Sequence, residues 1–83
     1  MRITVKTGGL LGEHLPAGSS GNQAELDVED GAGPLDVIKQ LNMPADQPFL
    51  IILNGEVVPT AERPGTKLGE NDELGIFPPL KGG

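Results

Sequence analysis

The sequence contains no cysteine, tryptophan or tyrosine, and its aromatic side chains are two phenylalanines, Phe49 and Phe77. The absence of cysteine excludes a disulfide scaffold, a thiolate metal site and a cysteine nucleophile. With so few aromatic residues, the core must be built from leucine, isoleucine and valine. A chain of 83 residues is expected to form one domain, residues 1–83, with one modest core.

Basic residues and long apolar stretches are also scarce. Six Lys and Arg against twelve Asp and Glu give a formal net charge of −6. Such a surface repels phosphate backbones, so we expect no nucleic-acid partner. It suits a partner with a basic docking surface, or it serves solubility alone.

The longest apolar run, Phe49 to Leu53, is far below the roughly 20 residues of a membrane span. Because Met1 to Lys6 also lacks the apolar stretch of a signal peptide, we expect a cytoplasmic protein with no membrane partner.

Two segments in the first half alternate between apolar and polar residues. Ile3 and Val5 predict a strand at the start of the chain, and the alternation from Ala24 to Val28 predicts a second strand. The polar face of that second strand carries three carboxylates, which belong to Glu25, Asp27 and Glu29. A solvated strand face explains these carboxylates better than a metal site, because the alternation points all three into water.

The connection between these strands, Gly8 to Gln23, is long for a hairpin. Its leucines predict a short helical turn under the sheet, and residues 16–21 predict a mobile loop tip. The only histidine, His14, has no neighbouring Cys or second His, so we expect an exposed loop residue. The sequence therefore predicts no metal site.

One helix is predicted in the middle of the chain. Pro34 suits the first helical position, where a missing N–H costs nothing. An apolar stripe follows at helical spacing, and Asn42 and Pro44 are expected to stop the helix. The helix should run from Pro34 to about Leu41, with an apolar stripe formed by Leu35, Val37, Ile38 and Leu41.

The second half begins with a strand and a hairpin. The run from Phe49 to Leu53 is apolar at every position, which predicts a strand covered on both faces or nearly so. Asn54-Gly55 is a strong signal for a two-residue turn. Glu56 to Val58 is then the return strand, and Pro59 marks its edge or end.

An irregular, turn-rich stretch from Thr60 to Asp72 follows, with Leu68 as its core anchor, and Leu74 and Ile76 form a last strand that Pro78-Pro79 ends. One helix and one sheet make an α+β, two-layer fold. The predicted core consists of Ile3, Val5, Leu26, Val28, Leu35, Ile38, Ile52, Leu74 and Ile76.

The sequence ends in Gly82-Gly83. Two glycines without side chains form a thin, flexible end that can thread a narrow channel and present a carboxylate to a buried active site. ATP could activate that carboxylate by adenylation, and a sulfur donor could then convert it to a thiocarboxylate, a good nucleophile. A frayed terminus without function is the alternative, because two glycines alone are weak evidence.

The hairpin from Leu53 to Val58 and the segment from Gly69 to Gly83 together resemble the MoaD/ThiS family of ubiquitin-like sulfur carriers. An asparagine-containing hairpin, a polar turn before the last strand and a C-terminal diglycine recur in that family. The ending Phe77-Pro78-Pro79-Leu80-Lys81-Gly82-Gly83 is more similar to the small subunit of molybdopterin synthase than to the thiamine carrier.

The resemblance implies a β-grasp fold, with a mixed sheet in which the first and last strands are parallel neighbours, and a flexible tail at residues 80–83. It also implies activation of Gly83 by a ubiquitin-activating-like adenylyltransferase. ATP would be used by that partner, so the chain itself would bind no cofactor and catalyse nothing alone. Gly83 would carry the chemistry, and the partner contacts would come from Phe77, Leu80, Lys81 and Gly82.

Several functions fit this resemblance. In the molybdenum-cofactor version, the Gly83 thiocarboxylate enters the large subunit of molybdopterin synthase and delivers sulfur to the pterin precursor. Thiamine thiazole formation and tRNA thiolation are alternative destinations of the sulfur. A different class of function is a ubiquitin-like protein modifier, joined through Gly83 to lysines of target proteins, or a plain interaction module.

Overall fold

A computed structural model describes residues 1–8, 15, 22–44 and 49–78. The helical turn predicted around Leu10 and Leu11, His14 and the tail at residues 80–83 lie outside the described residues. Within the described part, the chain forms β1 (Arg2–Thr7), β2 (Gln23–Asp27), α1 (Pro34–Gln40), β3 (Leu50–Leu53), β4 (Glu56–Val57), a 3-10 helix (Thr60–Gly65) and β5 (Glu73–Phe77).

The five strands form one mixed sheet with the order β2-β1-β5-β3-β4. β1 pairs with β5 in parallel, with Val5 beside Leu74, and the remaining neighbours are antiparallel. The first and last strands therefore lie side by side, as expected. Their inward residues Ile3, Val5, Leu74 and Ile76 are at most 1% exposed, so the parallel pair lies over the most buried part of the core.

Helix α1 begins and ends where its sequence predicts. Pro34 is the first helical residue, and the Asp36 carboxylate accepts a hydrogen bond of 2.8 Å from the Gly33 N–H. At the other end Asn42 has a φ of 59°. The Asn42 N–H donates to the Lys39 carbonyl and the Met43 N–H donates to the Ile38 carbonyl, both at 3.0 Å. These two bonds satisfy carbonyls that the helix leaves free, in the manner of a Schellman motif.

The predicted core position of Leu35 is wrong. Leu35 is 39% exposed. A helix of two turns buries one stripe, and here that stripe is Pro34, Val37, Ile38 and Leu41, which follows the i, i+3, i+4, i+7 spacing. Leu35 lies about 100° around the helix from Pro34 and therefore faces away from the sheet.

The prediction that β3 is covered on both faces, or nearly so, is also wrong. Ile51 is fully buried beneath the sheet, whereas Leu50 and Ile52 are only half-buried. Neighbouring side chains of a strand point to opposite faces, and the helix covers one of them. Ile52 therefore belongs to the outer face of the sheet. Ile51 occupies the core position that was predicted for Ile52.

The hairpin and the turn before β5 are joined by side-chain hydrogen bonds. Asn54 and Gly55 have φ values of 51° and 87°, as a two-residue type I′ turn requires. The Asn54 amide donates to the Asp72 carboxylate at 3.0 Å, and its oxygen accepts from the Glu73 N–H at 2.9 Å. Asp72 also accepts a bond of 2.7 Å from the Gly69 N–H. The polar turn noted in the sequence thus fastens the start of β5 to the hairpin.

The stretch after the hairpin contains a 3-10 helix, Thr60–Gly65, where the sequence predicts irregular structure. None of its residues is buried, so it has no apolar stripe to reveal it. It holds Arg63, whose guanidinium donates to the Phe49 carbonyl at 2.6 Å. Leu68 follows as a buried anchor, which confirms its predicted role.

The carboxylate-lined face of β2 is exposed and is bridged by Arg2 of the neighbouring strand. The Arg2 Nε donates to Asp27 at 3.1 Å, and another guanidinium nitrogen lies 3.6 Å from the Glu25 carboxylate. The hydrogen bond from Arg2, reinforced by its charge, lowers the pKa of Asp27 below its ordinary value. Through these contacts, Asp27 and Glu25 form a solvent-exposed ion-pair network with Arg2.

This bond predicts a measurable titration of Asp27. A lowered pKa means that the ion pair stabilises the fold above the carboxyl's ordinary pKa of about 3.9 and that this contribution is lost as the pH falls through the lower value. We expect an NMR titration to place the Asp27 midpoint below the ordinary value. Arg2→Gln should return it upward, and an unchanged midpoint in that variant would show that Arg2 is not the cause.

Candidate functional site

The predicted site lies at the end of β5 and beyond it. Of its five residues, Phe77 is described by the structure, whereas Leu80, Lys81, Gly82 and Gly83 lie outside the described residues. Phe77 is the last residue of β5 and is half-buried, and the exposed Pro78 follows it. Because proline has no N–H to donate, the ladder of β5 ends at this point.

The side chain of Phe77 lies on the outer face of the sheet. In β5, Leu74 and Ile76 are buried and point inward, so Gly75 and Phe77 point to the opposite face. Register places Leu50 of β3 directly opposite Phe77, and Ile52 opposite Gly75. Phe77 is therefore not a residue of the helix-covered core.

Four apolar side chains meet on this outer face. Phe77 and Leu50 form one cross-strand pair, and Ile52 forms another with Val57 of β4. Val57 is 59% exposed, and the other three are half-buried. We call the set Leu50, Ile52, Val57 and Phe77 the outer-face patch. Apolar side chains that lie together and keep part of their surface exposed are typical of a surface that binds a partner.

Three members of this patch were not predicted from the sequence as surface residues. Ile52 was assigned to the core, Leu50 to a strand covered on both faces or nearly so, and Val57 to the return strand of the hairpin. A signal was nevertheless available, since β3 is apolar at every position and the chain offers one helix to cover one face. The second apolar face of β3 therefore had to meet solvent or a partner.

Charged residues border the patch on one side. Lys6 of β1 forms an ion pair with Glu73 of β5, and the Arg2 network with Glu25 and Asp27 lies beyond it. The outer face is thus apolar across β3, β4 and the Phe77 end of β5, and it is charged at Glu73 and across β1 and β2. A partner that covers the whole face must provide an apolar area beside a polar one.

In the part of the chain that the structure describes, no group of three or more His, Cys, Asp or Glu residues is arranged to hold a metal ion. No helix among the described residues is long and apolar enough to cross a membrane. The described residues thus form a β-sheet with an apolar outer patch, and in the sequence residues 78–81 separate the last strand from Gly82-Gly83.

A family model confirms the resemblance of the sequence to sulfur carriers. The model of the ThiS family matches residues 17–83, which include the hairpin, β5 and the C-terminal glycines. The chain therefore belongs to the ThiS family. Compared directly with individual curated protein sequences, it has no significant match.

Solved structures agree on the fold. Small archaeal modifier protein 1 of Haloferax volcanii is 26% identical, with a TM-score of 0.67 over 95% of this chain and 98% of that one. A candidate molybdopterin-converting factor subunit 1 from Pyrococcus furiosus is 19% identical, with a TM-score of 0.67 over the same shares of both chains. A structure of the complex of subunits 1 and 2 of the molybdopterin-converting factor from Helicobacter pylori matches over 100% of both chains, at 17% identity and a TM-score of 0.57. The fold is the ubiquitin-like β-grasp, and the protein is a ubiquitin-like sulfur carrier or modifier.

Proposed function

We propose that the chain is a sulfur carrier whose C-terminal Gly83 is adenylated and then converted to a thiocarboxylate. The observation that carries the proposal is the bare diglycine end, placed just beyond a proline-terminated strand in a chain of the ThiS family. A thin end of this kind reaches into an active site that side chains could not enter.

The carrier itself supplies position and recognition, and its partners supply the catalysis. A ubiquitin-activating-like adenylyltransferase joins the Gly83 carboxylate to AMP from ATP and releases pyrophosphate. Hydrosulfide, or a sulfur donor equivalent to it, then attacks the acyl carbon, and AMP leaves with the carboxylate oxygen. The product is a thiocarboxylate whose sulfur is nucleophilic near neutral pH. No cofactor is bound by the carrier in this scheme.

The outer-face patch provides the docking surface for these partners. Phe77 belongs to the patch and immediately precedes the C-terminal segment in the sequence. A protein that covers the patch is therefore positioned to receive the tail. Leu80, Lys81 and Gly82 would extend the contact along the tail. Aromatic and aliphatic side chains that are half-exposed before binding lose water on docking, which favours association.

The molybdenum cofactor is the destination that we favour for the sulfur. The ending Phe77-Pro78-Pro79-Leu80-Lys81-Gly82-Gly83 is similar to that of the molybdopterin synthase small subunit. A structural neighbour from Helicobacter pylori is subunit 1 of a molybdopterin-converting factor in complex with subunit 2. A synthase large subunit is therefore the proposed acceptor. Thiamine thiazole formation and tRNA thiolation would use the same thiocarboxylate with other acceptors.

Protein modification is a second candidate function. The observation that favours it is the 26% identity to small archaeal modifier protein 1 over nearly the whole chain. A modifier would use the same acyl-adenylate but would pass the Gly83 acyl group to a lysine amine, with loss of AMP. The two functions share activation and differ in the nucleophile.

Intact mass spectrometry distinguishes the two functions. We expect the chain, incubated with ATP, its adenylyltransferase and hydrosulfide, to gain the mass difference between one sulfur and one oxygen atom. Omitting ATP should prevent the gain. If no such gain occurs and the chain instead appears linked through Gly83 to lysines of added proteins, the modifier function is correct and the carrier function is wrong.

A further inference from the structure

Two glycines of the outer face lie directly beneath the Phe77 ring. A Cβ atom added to Gly75 would lie 2.6 Å from Cε2 and 3.3 Å from Cζ of that ring. A Cβ added to Gly8, just after β1, would lie 2.7 Å from Cδ1 of the ring and 3.4 Å from Cδ of Pro78. The ring therefore occupies the space that side chains at these two positions would need.

Backbone conformation does not explain these glycines. Among the described residues, the glycines with positive φ are Gly31 and Gly55, so Gly8 and Gly75 have angles that any residue can adopt. A glycine inside a strand weakens that strand, and it commonly marks a close approach by another group. At Gly75 the approaching group is Phe77 of the same strand, two residues further along.

We propose that Gly75 and Gly8 form a seat that holds the Phe77 ring against the sheet, and that this seat positions the outer-face patch for the activating enzyme. The proposal rests on the proposed function, because it assigns positioning residues to the docking step. Neither glycine touches reacting atoms. They act through Phe77, and Gly8 also acts through Pro78.

The geometry separates this role from a role in stability. At Gly75 the two atoms that an added Cβ would approach most closely belong to the half-exposed Phe77 ring, which can move away from the sheet, and the third, Ile52 Cβ at 3.5 Å, is at ordinary contact distance. The core side chains of β5, Leu74 and Ile76, point to the opposite face. A methyl group at Gly75 should therefore lift the ring out of line with Leu50 and leave the core in place.

Alanine substitutions test the seat in the free protein first. In the wild type, nuclear Overhauser contacts should join the Phe77 ring protons to the α protons of Gly75 and Gly8. Gly75→Ala and Gly8→Ala should each weaken these contacts while the unfolding midpoint stays near that of the wild type. Gly65→Ala is the matched control, because an added Cβ there has nothing within 4 Å and the backbone angle is ordinary. Unchanged ring contacts in Gly75→Ala would overturn the proposal.

Kinetics of adenylation then test positioning. We expect Gly75→Ala to raise the KM for the carrier in ATP–pyrophosphate exchange by about tenfold, the scale of one substantial interface contact, with kcat little changed. Gly65→Ala should match the wild type. An unchanged KM in Gly75→Ala, despite a displaced ring, would overturn the positioning role.

A double variant shows whether the effect acts through the ring. Phe77→Ala removes the group that an added methyl would displace, so Gly75→Ala should have no further effect on KM in that background. Additive effects would overturn the seat. If the wild type itself is never adenylated, the proposed function fails, whereas the ring contacts in the free protein still decide whether the seat exists.

Discussion

Deletion of Gly83 is expected to abolish the sulfur-dependent mass gain completely. The carboxylate would then belong to Gly82, one residue short of the reach that activation at Gly83 requires. The fold should not change, because residue 83 is no part of the core, and surface changes usually alter the free energy of unfolding by less than about 0.5 kcal/mol. Intact mass after incubation with ATP, adenylyltransferase and hydrosulfide measures the first effect, and urea unfolding measures the second.

Substitution of Gly82 separates chemistry from access. Gly82→Phe retains the Gly83 carboxylate but adds a side chain that a narrow channel cannot accept, so it should also lose the mass gain. If the Gly83 deletion still carries sulfur, the carrier function is wrong. If only Gly82→Phe remains active, the carrier function stands and the narrow-channel argument is wrong.

The elements that the sequence predicted well have local causes. Alternation in β1, the Asn54-Gly55 turn and the Pro34 start of α1 each depend on residues near one another in the chain. The end of the helix at Asn42 belongs to the same group, since a residue in the left-handed region closes a helix through bonds to its own last turn. Such features do not depend on how the sheet packs.

The elements that it predicted wrongly depend on packing. An apolar run such as β3 has no alternation, so nothing local decides which of Ile51 and Ile52 points inward. That choice follows from register with β5 and from the position of α1. Leu35 is a similar case. In a helix of only two turns, the sequence does not determine which apolar residues are buried, because packing against the sheet decides this.

The candidate site divides in the same way. The chemistry proposed at Gly82-Gly83 was inferred from the sequence and from its resemblance to a family, and it stays a prediction. The outer-face patch could not be predicted in this way, since it joins Leu50 to Phe77 and Ile52 to Val57 through strand pairing. The seat beneath Phe77 is even harder to predict from the sequence, because it also needs Gly8, at the end of β1, to lie against the Phe77 ring of β5.

Ile51→Ala is expected to lower the free energy of unfolding strongly, whereas Ile52→Ala is expected to lower it little. Ile51 is fully buried, and truncation of a buried isoleucine costs about 2–5 kcal/mol through lost burial and the cavity that remains. A domain of this size has roughly 4–12 kcal/mol of total stability, so this loss is a large share. Ile52 is half-buried on the outer face and should cost about 1 kcal/mol. Urea unfolding of the two variants gives both values.

The two variants should rank in the opposite order when docking is measured. Ile52→Ala should then have the larger effect and Ile51→Ala the smaller. At a temperature where both are folded, Ile52→Ala removes a side chain from the centre of the outer-face patch, between Val57 and Gly75. It should raise the KM for the carrier in adenylation by about tenfold, as for a contact worth about 1.4 kcal/mol. Ile51→Ala removes nothing from that face and should leave KM near the wild-type value. Because the variants change adjacent residues in the same way, a loss of stability cannot account for both results. Equal KM values for Ile52→Ala and the wild type would mean that partners do not dock on this face of the sheet.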